Sequence, residues 1–283
     1  MNDLNLKKKN LEAGLRKLDS MAVAFSGGVD STFLLAMAAE IFMGNRKNKK
    51  LVAITAESPV HSRKDIRDAE SFAKDNHIHH MIVSTDEMNS AEFISNEPNR
   101  CYVCKKIIFG NIVKIAAERG INNVAHGVNV DDQGDYRPGM KAAREMNILS
   151  PLLDAGLTKK DIRQLSKEMG LPTWDKPASG CLATRFPYGE SINLKKLEMI
   201  ENAEIILSDM DFRICRVRYY NELAKIEVAP DDIEKLLNLS VRNQIVNQFK
   251  KAGFLYITLD LEGYQSGRLN RSIMSGSDIP YPR

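Results

Sequence analysis

Phe25-Ser26-Gly27-Gly28-Val29-Asp30-Ser31 links a short apolar run to a long apolar helical segment, and its residue types suit an anion. Glycines let backbone N–H groups turn toward one point, a following helix N-terminus adds partial positive charge, and Ser26 and Ser31 add hydroxyl donors. Asp30 is out of place beside phosphates unless it holds a cation, which points to Mg²⁺. The same residues also suit a plain strand–turn–helix whose glycines serve only the turn. The spacing matches neither G-x-x-x-x-G-K-[ST] nor G-x-G-x-x-G.

The chain has four cysteines. Cys101 and Cys104 form C-x-x-C at the start of a helical segment, Cys181 stands in Pro177-Ala-Ser-Gly-Cys-Leu-Ala-Thr-Arg185, and Cys215 reads as a small core residue of a strand. The first three suit a redox pair plus a bystander, or an incomplete zinc site, since no His completes a set of four. They equally suit three ligands of an iron–sulfur cluster whose open iron carries sulfide. Arg216 and Arg218 alternate along a strand and so share a face. Their forked guanidinium groups suit phosphate and carboxylate, or are solvated. Arg185 and Lys106 are further cations close in sequence to Cys181 and Cys104. Asp131 and Asp132 read as loop caps or metal ligands, and Trp174 as a core anchor ahead of a lid over a flat ring.

Short apolar strands at 21–25, 51–56, 80–83 and 123–126 must position these groups. They alternate with helices at 4–18, 32–42, 63–75 and 103–119, which argues for a parallel sheet covered on both faces. Thr158 and Asp161 form a capping-box variant that opens a helix running to Met169. Residues 172–191 lack periodicity. A helix at 194–207 then leads to strands at 212–219, 223–228 and 255–259, with helices at 231–238 and 241–252 between the last two strands. The expected architecture is α/β, with one domain over 1–190 and a smaller α+β domain over 191–283.

With 283 residues, 43% of them hydrophobic and 27% charged, the chain can bury a real core. A net charge of +3 argues against a nucleic-acid partner. Lys7–Lys9 and Arg46–Lys50 are its only basic clusters and read as solvated faces. No apolar h-region opens the sequence, and no run approaches the roughly 18 apolar residues of a membrane span. The expectation is therefore a cytoplasmic protein with no membrane partner, in a compartment that disfavours disulfides.

Ser26-Gly-Gly-Val-Asp-Ser31 resembles the PP-loop of the N-type ATP pyrophosphatases, which cleave ATP between the α- and β-phosphates. The resemblance implies a PP-loop domain with a parallel sheet flanked by helices, holding ATP through Ala24, Ser26, Gly27, Gly28, Asp30, Ser31, Thr55 and Gly127. It also implies Mg²⁺ on Asp30 and adenine against the backbone of Ala53–Ala56. Over nearly its full length the chain is similar to the LarE family of sulfur transferases. The matching stretches are Asn99–Lys106, Asp131-Asp132 with Asp135–Arg144, Ser150–Thr158, Leu171–Pro177, Cys181–Gly189, Arg216–Arg218 and Leu259–Tyr264.

Members of that family with a single Cys at the place of Cys181 give up its sulfur and leave dehydroalanine. Members with the additional C-x-x-C, as here, resemble cluster-dependent transferases. The resemblance thus implies a [4Fe-4S] cluster on Cys101, Cys104 and Cys181, with Cys181 and Asp30 catalytic and Arg185, Arg216 and Arg218 binding substrate. The family's substrate is pyridinium-3,5-biscarboxylic acid mononucleotide, a precursor of the nickel-pincer cofactor, so a small acidic mononucleotide and a sulfide donor are the implied partners. Its carboxylate would be adenylated with release of pyrophosphate, and sulfide on the cluster's open iron would then displace AMP. Single-turnover transfer from Cys181 is the alternative within the family. A tRNA thiolation enzyme shares the loop, but zinc-ribbon or RNA-binding appendages do not appear. An amide-forming ligase leaves the cysteines unexplained, and an iron–sulfur sensor would bind ATP without releasing pyrophosphate. A homo-oligomer stays open.

Overall fold

The apolar strand segments assemble into a four-stranded parallel sheet, seen in a computed structural model that describes residues 3–44, 49–134, 138–265 and 267–270. Residues 46–48 of the basic patch and 135–137 of the LarE-like stretches lie outside the described residues. In chain order the elements are α1 (Asp3–Arg16), β1 (Ser20–Ala24), α2 (Val29–Phe42), β2 (Lys50–Glu57), α3 (Arg63–Asp75), β3 (His80–Ser84), α4 (Ala91–Ile94), α5 (Arg100–Glu118) and β4 (Val124–His126). There follow α6 (Pro138–Glu145), α7 (Pro151–Asp154), α8 (Lys159–Glu168), α9 (Leu194–Asp209), β5 (Cys215–Tyr220), β6 (Leu223–Val228), α10 (Ile233–Leu237), α11 (Leu239–Ala252) and β7 (Tyr256–Leu259).

Two compact units result, residues 1–90 with 99–179 and residues 91–98 with 180–283. The second unit resumes at Gly180, eleven residues before the expected start at 191, and also takes 91–98. This short stretch joins it because Ile192 and Gly189 donate their N–H groups to the carbonyls of Ile94 and Asn96.

In the first unit the strand order is β3-β2-β1-β4, every pair parallel. Such a sheet is buried on both faces, and α2 is accordingly apolar almost all round, with Phe33, Leu34, Leu35, Met37 and Ala38 fully buried. The strand order reverses between β1 and β4, and at such a switch point parallel sheets bind ligands in the crevice outside the carboxyl ends of their strands. The expected capping box on α8 is present: Asp161 N–H donates to Thr158 Oγ1 at 3.2 Å and Thr158 N–H donates to Asp161 at 3.0 Å. Such caps contribute about 1 kcal/mol.

The second unit carries a three-stranded mixed sheet, with β5 and β6 antiparallel and β6 and β7 parallel. Its core holds an aromatic row: Phe186 lies 5.7 Å from Tyr219, Tyr219 6.2 Å from Phe254, and Phe254 5.9 Å from Phe249. Among the described residues no helix is long and apolar enough to cross a membrane.

Candidate active site

β1 ends at Ala24 and α2 begins at Val29, so Phe25–Gly28 form a tight turn at the head of the crevice. Gly27 has φ +68°, and a Cβ there would come 2.9 Å from the Asp65 carbonyl oxygen. Gly127, just past β4, is required for a different reason: its Cβ would meet the Ser31 nitrogen at 2.8 Å. β4 can therefore approach the first turn of α2 only with glycine there. Ser26 and Ser31 share a hydrogen bond of 3.0 Å between hydroxyls, and Ser31 Oγ donates to the Gly28 carbonyl at 3.2 Å. Thr55 Oγ1 donates to the Phe25 carbonyl at 2.7 Å and lies 2.8 Å from His80 Nε2, so its side chain braces the turn. Beside Gly127, His126 pairs with Ser150 Oγ at 3.0 Å. Burial, with the Lys105 charge adding, pushes His126 down to about 4, leaving it neutral at physiological pH.

Asp30 is half-buried on the first turn of α2 and already holds a cation. Its Oδ2 accepts a charged hydrogen bond from Lys159 Nζ, and its Oδ1 accepts one from Asn129 Nδ2 at 3.3 Å. An ammonium group standing on this carboxylate shows that the position suits positive charge, so the site fits Mg²⁺ with Asp30 as a ligand. Asp131 and Asp132 act as loop caps: Asp131 accepts from Lys159 N–H at 2.7 Å and Asp132 from Asn129 N–H at 2.9 Å.

Lys176 is the second lysine at the loop, donating to the Gly27 carbonyl at 3.2 Å and pairing with Asp65 and Asp68 at 2.9 Å each. Neither lysine nor Asn129 was picked out by reading the sequence. Lys159 and Lys176 contact residues 129 and 149 positions away, which no local pattern reveals. The only signal was their place next to Thr158 and within Leu171–Pro177. Trp174, expected in the core, is 37% exposed and lies under Lys167 Nζ at 4.7 Å from its ring centre. Arg163 donates to the Trp174 carbonyl at 2.8 Å, which fixes the turn with the indole outward.

Cys101 and Cys104 occupy the first turn of α5 in the first unit, three residues apart and hence on one helix face. Arg100, almost wholly buried, puts Nη2 3.9 Å from Cys101 Sγ. Cys181 belongs to the second unit, half-buried, ahead of a single 3₁₀ turn over Leu182–Arg185. Among the described residues no three His, Cys, Asp or Glu side chains group closely enough to hold a metal ion. Cys101 and Cys104, one helical turn apart on α5, could each supply a thiolate to a cluster. Lys106 points away from any such role, pairing with Glu145 at 3.1 Å on an exposed face. Cys215 is buried in β5, as a core residue is.

The three arginines fall together in the second unit and none is solvated. Arg185, Arg216 and Arg218 are 2%, 9% and 8% exposed, which removes the solvated-strand alternative. Arg185 forks onto Glu204 through Nε and Nη2, both 2.9 Å, and Arg218 forks onto Glu227 at 3.0–3.1 Å. Burial alone would raise the Glu204 carboxyl, but the Arg185 guanidinium outweighs it and holds it below its ordinary value. Arg216 instead donates to the Cys215 carbonyl at 2.6 Å and lies over the Tyr264 ring at 5.1 Å. Burial and the like charge of Arg185 pull it below its usual value.

The arginine pairs differ in a way mutation should expose. Arg218→Ala strands the Glu227 carboxylate, and losing one partner of a buried pair costs about 3–5 kcal/mol, softened here by Lys225 at 3.2 Å. Arg216→Ala leaves Glu204 held by the Arg185 fork, and is expected to cost less stability while raising the acceptor KM. Thermal denaturation and acceptor kinetics check both, and an unaltered KM in both variants would assign these residues to structure alone.

Comparison with known proteins agrees with this architecture. Residues 5–128 match the family model described as NAD synthase. The chain is 42% identical to an uncharacterized protein of Synechocystis sp., covering 95% of this chain and 98% of that one. It is 36% identical to the pyridinium-3,5-bisthiocarboxylic acid mononucleotide synthase of Lactiplantibacillus plantarum, covering 96% and 97%. Similarity to the tRNA-specific 2-thiouridylase MnmA of Rickettsia rickettsii is 26% identity, over 67% of this chain and 61% of that one. With the strand–PP-loop–helix crevice in place and a named synthase matched along nearly the whole of both chains, the chain belongs to the LarE family of PP-loop proteins and is an ATP-dependent sulfurtransferase.

Proposed function

We propose that the Phe25–Ser31 turn binds Mg²⁺·ATP and that the chain adenylates a carboxylate of a small acidic mononucleotide, then replaces the adenylate oxygen by sulfur. The observation that carries this reading is the loop. A positive-φ glycine, two serine hydroxyls, open first-turn amides of α2 and a carboxylate already holding a cation converge at the crevice. Mg²⁺, when bound, supplies charge neutralisation for the departing pyrophosphate. Asp30 would hold it, and Asn129 and Lys159 orient Asp30. The substrate carboxylate oxygen bonds to the α-phosphorus as the bond to pyrophosphate breaks. Sulfide then bonds to the acyl carbon and AMP leaves, giving a thiocarboxylate.

The named activity of the L. plantarum relative supports pyridinium-3,5-biscarboxylic acid mononucleotide as the acceptor. Arg185, Arg216 and Arg218 are our proposed contacts for its acidic groups, Arg216 foremost because it makes no fork onto a carboxylate as Arg185 and Arg218 do onto Glu204 and Glu227. Domain roles follow: ATP on the first unit, acceptor and Cys181 on the second. We assign Cys101, Cys104 and Cys181 as [4Fe-4S] ligands, a group that would supply exchangeable sulfide. With this acceptor, ATP and sulfide, one AMP and one pyrophosphate should appear per thiocarboxylate, read by phosphorus NMR and mass spectrometry. ADP and orthophosphate as products would overturn the assignment.

A further inference from the structure

Lys176 has no place in the chemistry above, yet it is tied directly to the loop. Its ammonium donates to the Gly27 carbonyl at 3.2 Å, to Asp65 at 2.9 Å and to Asp68 at 2.9 Å, and its side chain is only 18% exposed. A lysine has three N–H donors. All three are spent on these acceptors, so none is left for a phosphate. Burial alone would depress this ammonium, but Asp65 and Asp68 outweigh it and hold it above its ordinary value, so it stays charged. Asp65 and Asp68 stand on the first two turns of α3, against which Gly27 packs closely enough to exclude any Cβ.

The consequence lies in the next peptide. The Gly27 carbonyl and the Gly28 N–H belong to one planar trans unit and point in opposite directions. Glycine flanks that unit on both sides and offers little resistance to its rotation. We propose that Lys176, anchored by Asp65 and Asp68, is a positioning residue that sets the Gly27–Gly28 peptide so that the Gly28 N–H is preset for the pyrophosphate part of ATP. This rests on reading the loop as the ATP site. Donors fixed in advance of binding are worth more than donors that must be ordered by the ligand.

The rival explanation is charge alone: Lys176 would merely offset two carboxylates near an anion. The two accounts differ in sign for Asp68→Asn. That change loosens one arm of the clamp but also removes a negative charge. Positioning predicts weaker Mg²⁺·pyrophosphate binding, whereas charge alone predicts tighter binding. Isothermal titration of pyrophosphate and of adenosine, which lacks phosphates, should be run on the full chain as wild type, Lys176→Met, Lys176→Arg and Asp68→Asn. Losing alignment of a hydrogen bond to a charged group corresponds to about 10- to 100-fold in affinity, the loss expected for Lys176→Met with pyrophosphate and not with adenosine. Lys176→Arg should recover most of it. The ¹⁵N–¹H resonance of Gly28 should shift in Lys176→Met. Equal pyrophosphate affinity in Lys176→Met, or tighter binding by Asp68→Asn, would overturn the proposal. A wild-type chain that fails to bind pyrophosphate would overturn the ATP-site reading along with it. Should Lys176→Met not fold, the sign of the Asp68→Asn effect still decides.

Discussion

Replacing Cys181 by alanine is expected to abolish sulfur transfer while release of pyrophosphate continues. The backbone around Cys181 is pinned independently of its sulfur: its carbonyl accepts from Thr184 Oγ1 at 2.7 Å, Thr184 N–H at 3.0 Å and Arg185 Nη1 at 3.0 Å. Alanine there removes Sγ and leaves the turn intact, so the loss is one of chemistry. Cys101→Ala and Cys104→Ala should each remove the charge-transfer absorption of the reconstituted protein, as Cys181→Ala should. Cys215→Ala should preserve it, because that sulfur is buried in β5 and faces the Glu204 carbonyl at 3.8 Å. Intact-protein mass spectrometry after repeated turnover is expected to find Cys181 unchanged. Dehydroalanine at Cys181 would establish sacrificial transfer and refute the cluster assignment.

Asp30→Asn is expected to slow adenylation by about 10²- to 10³-fold, the scale of losing one principal electrostatic element at a developing charge. The side chain keeps its shape and its contact with Asn129, but a neutral amide neither holds Mg²⁺ well nor balances Lys159. The loss should shrink as Mg²⁺ is raised, which a magnesium titration of pyrophosphate release would show. Unchanged rates at low Mg²⁺ would reduce Asp30 to a first-turn acidic residue of α2. Gly28, and not Asp30, is the N-cap of that helix, so the substitution leaves no cap unmade.

Much of this protein was legible locally. The parallel sheet followed from apolar runs too short for helices, alternating with segments of helical period. The observed strands begin and end within about one residue of those runs, except at β5, which starts at Cys215 and not at Phe212. There Asp211 has φ +63°, which turns the chain before the ladder begins. Gly127, Thr55 and the serines were legible through likeness to a known loop. What each does mechanically was not, since Thr55 braces the Phe25 carbonyl and Gly127 clears a path for α2.

Sequence by itself determined which elements form and in what order, because hydrophobic period, caps and turn residues act within a few positions. It also determined the inventory of reactive groups: the loop, three cysteines in two contexts, and arginines alternating on one strand face. Only the tertiary structure decided how those groups are partnered. It put Lys159 on Asp30 and Lys176 on Gly27, buried Arg185 and Arg218 against Glu204 and Glu227, and turned Trp174 outward. Each of these depends on which distant segment the strand order 3-2-1-4 or the β5–β6 register brings alongside. A buried charge takes whichever opposite charge the topology supplies, and that pairing leaves no periodic trace in the chain.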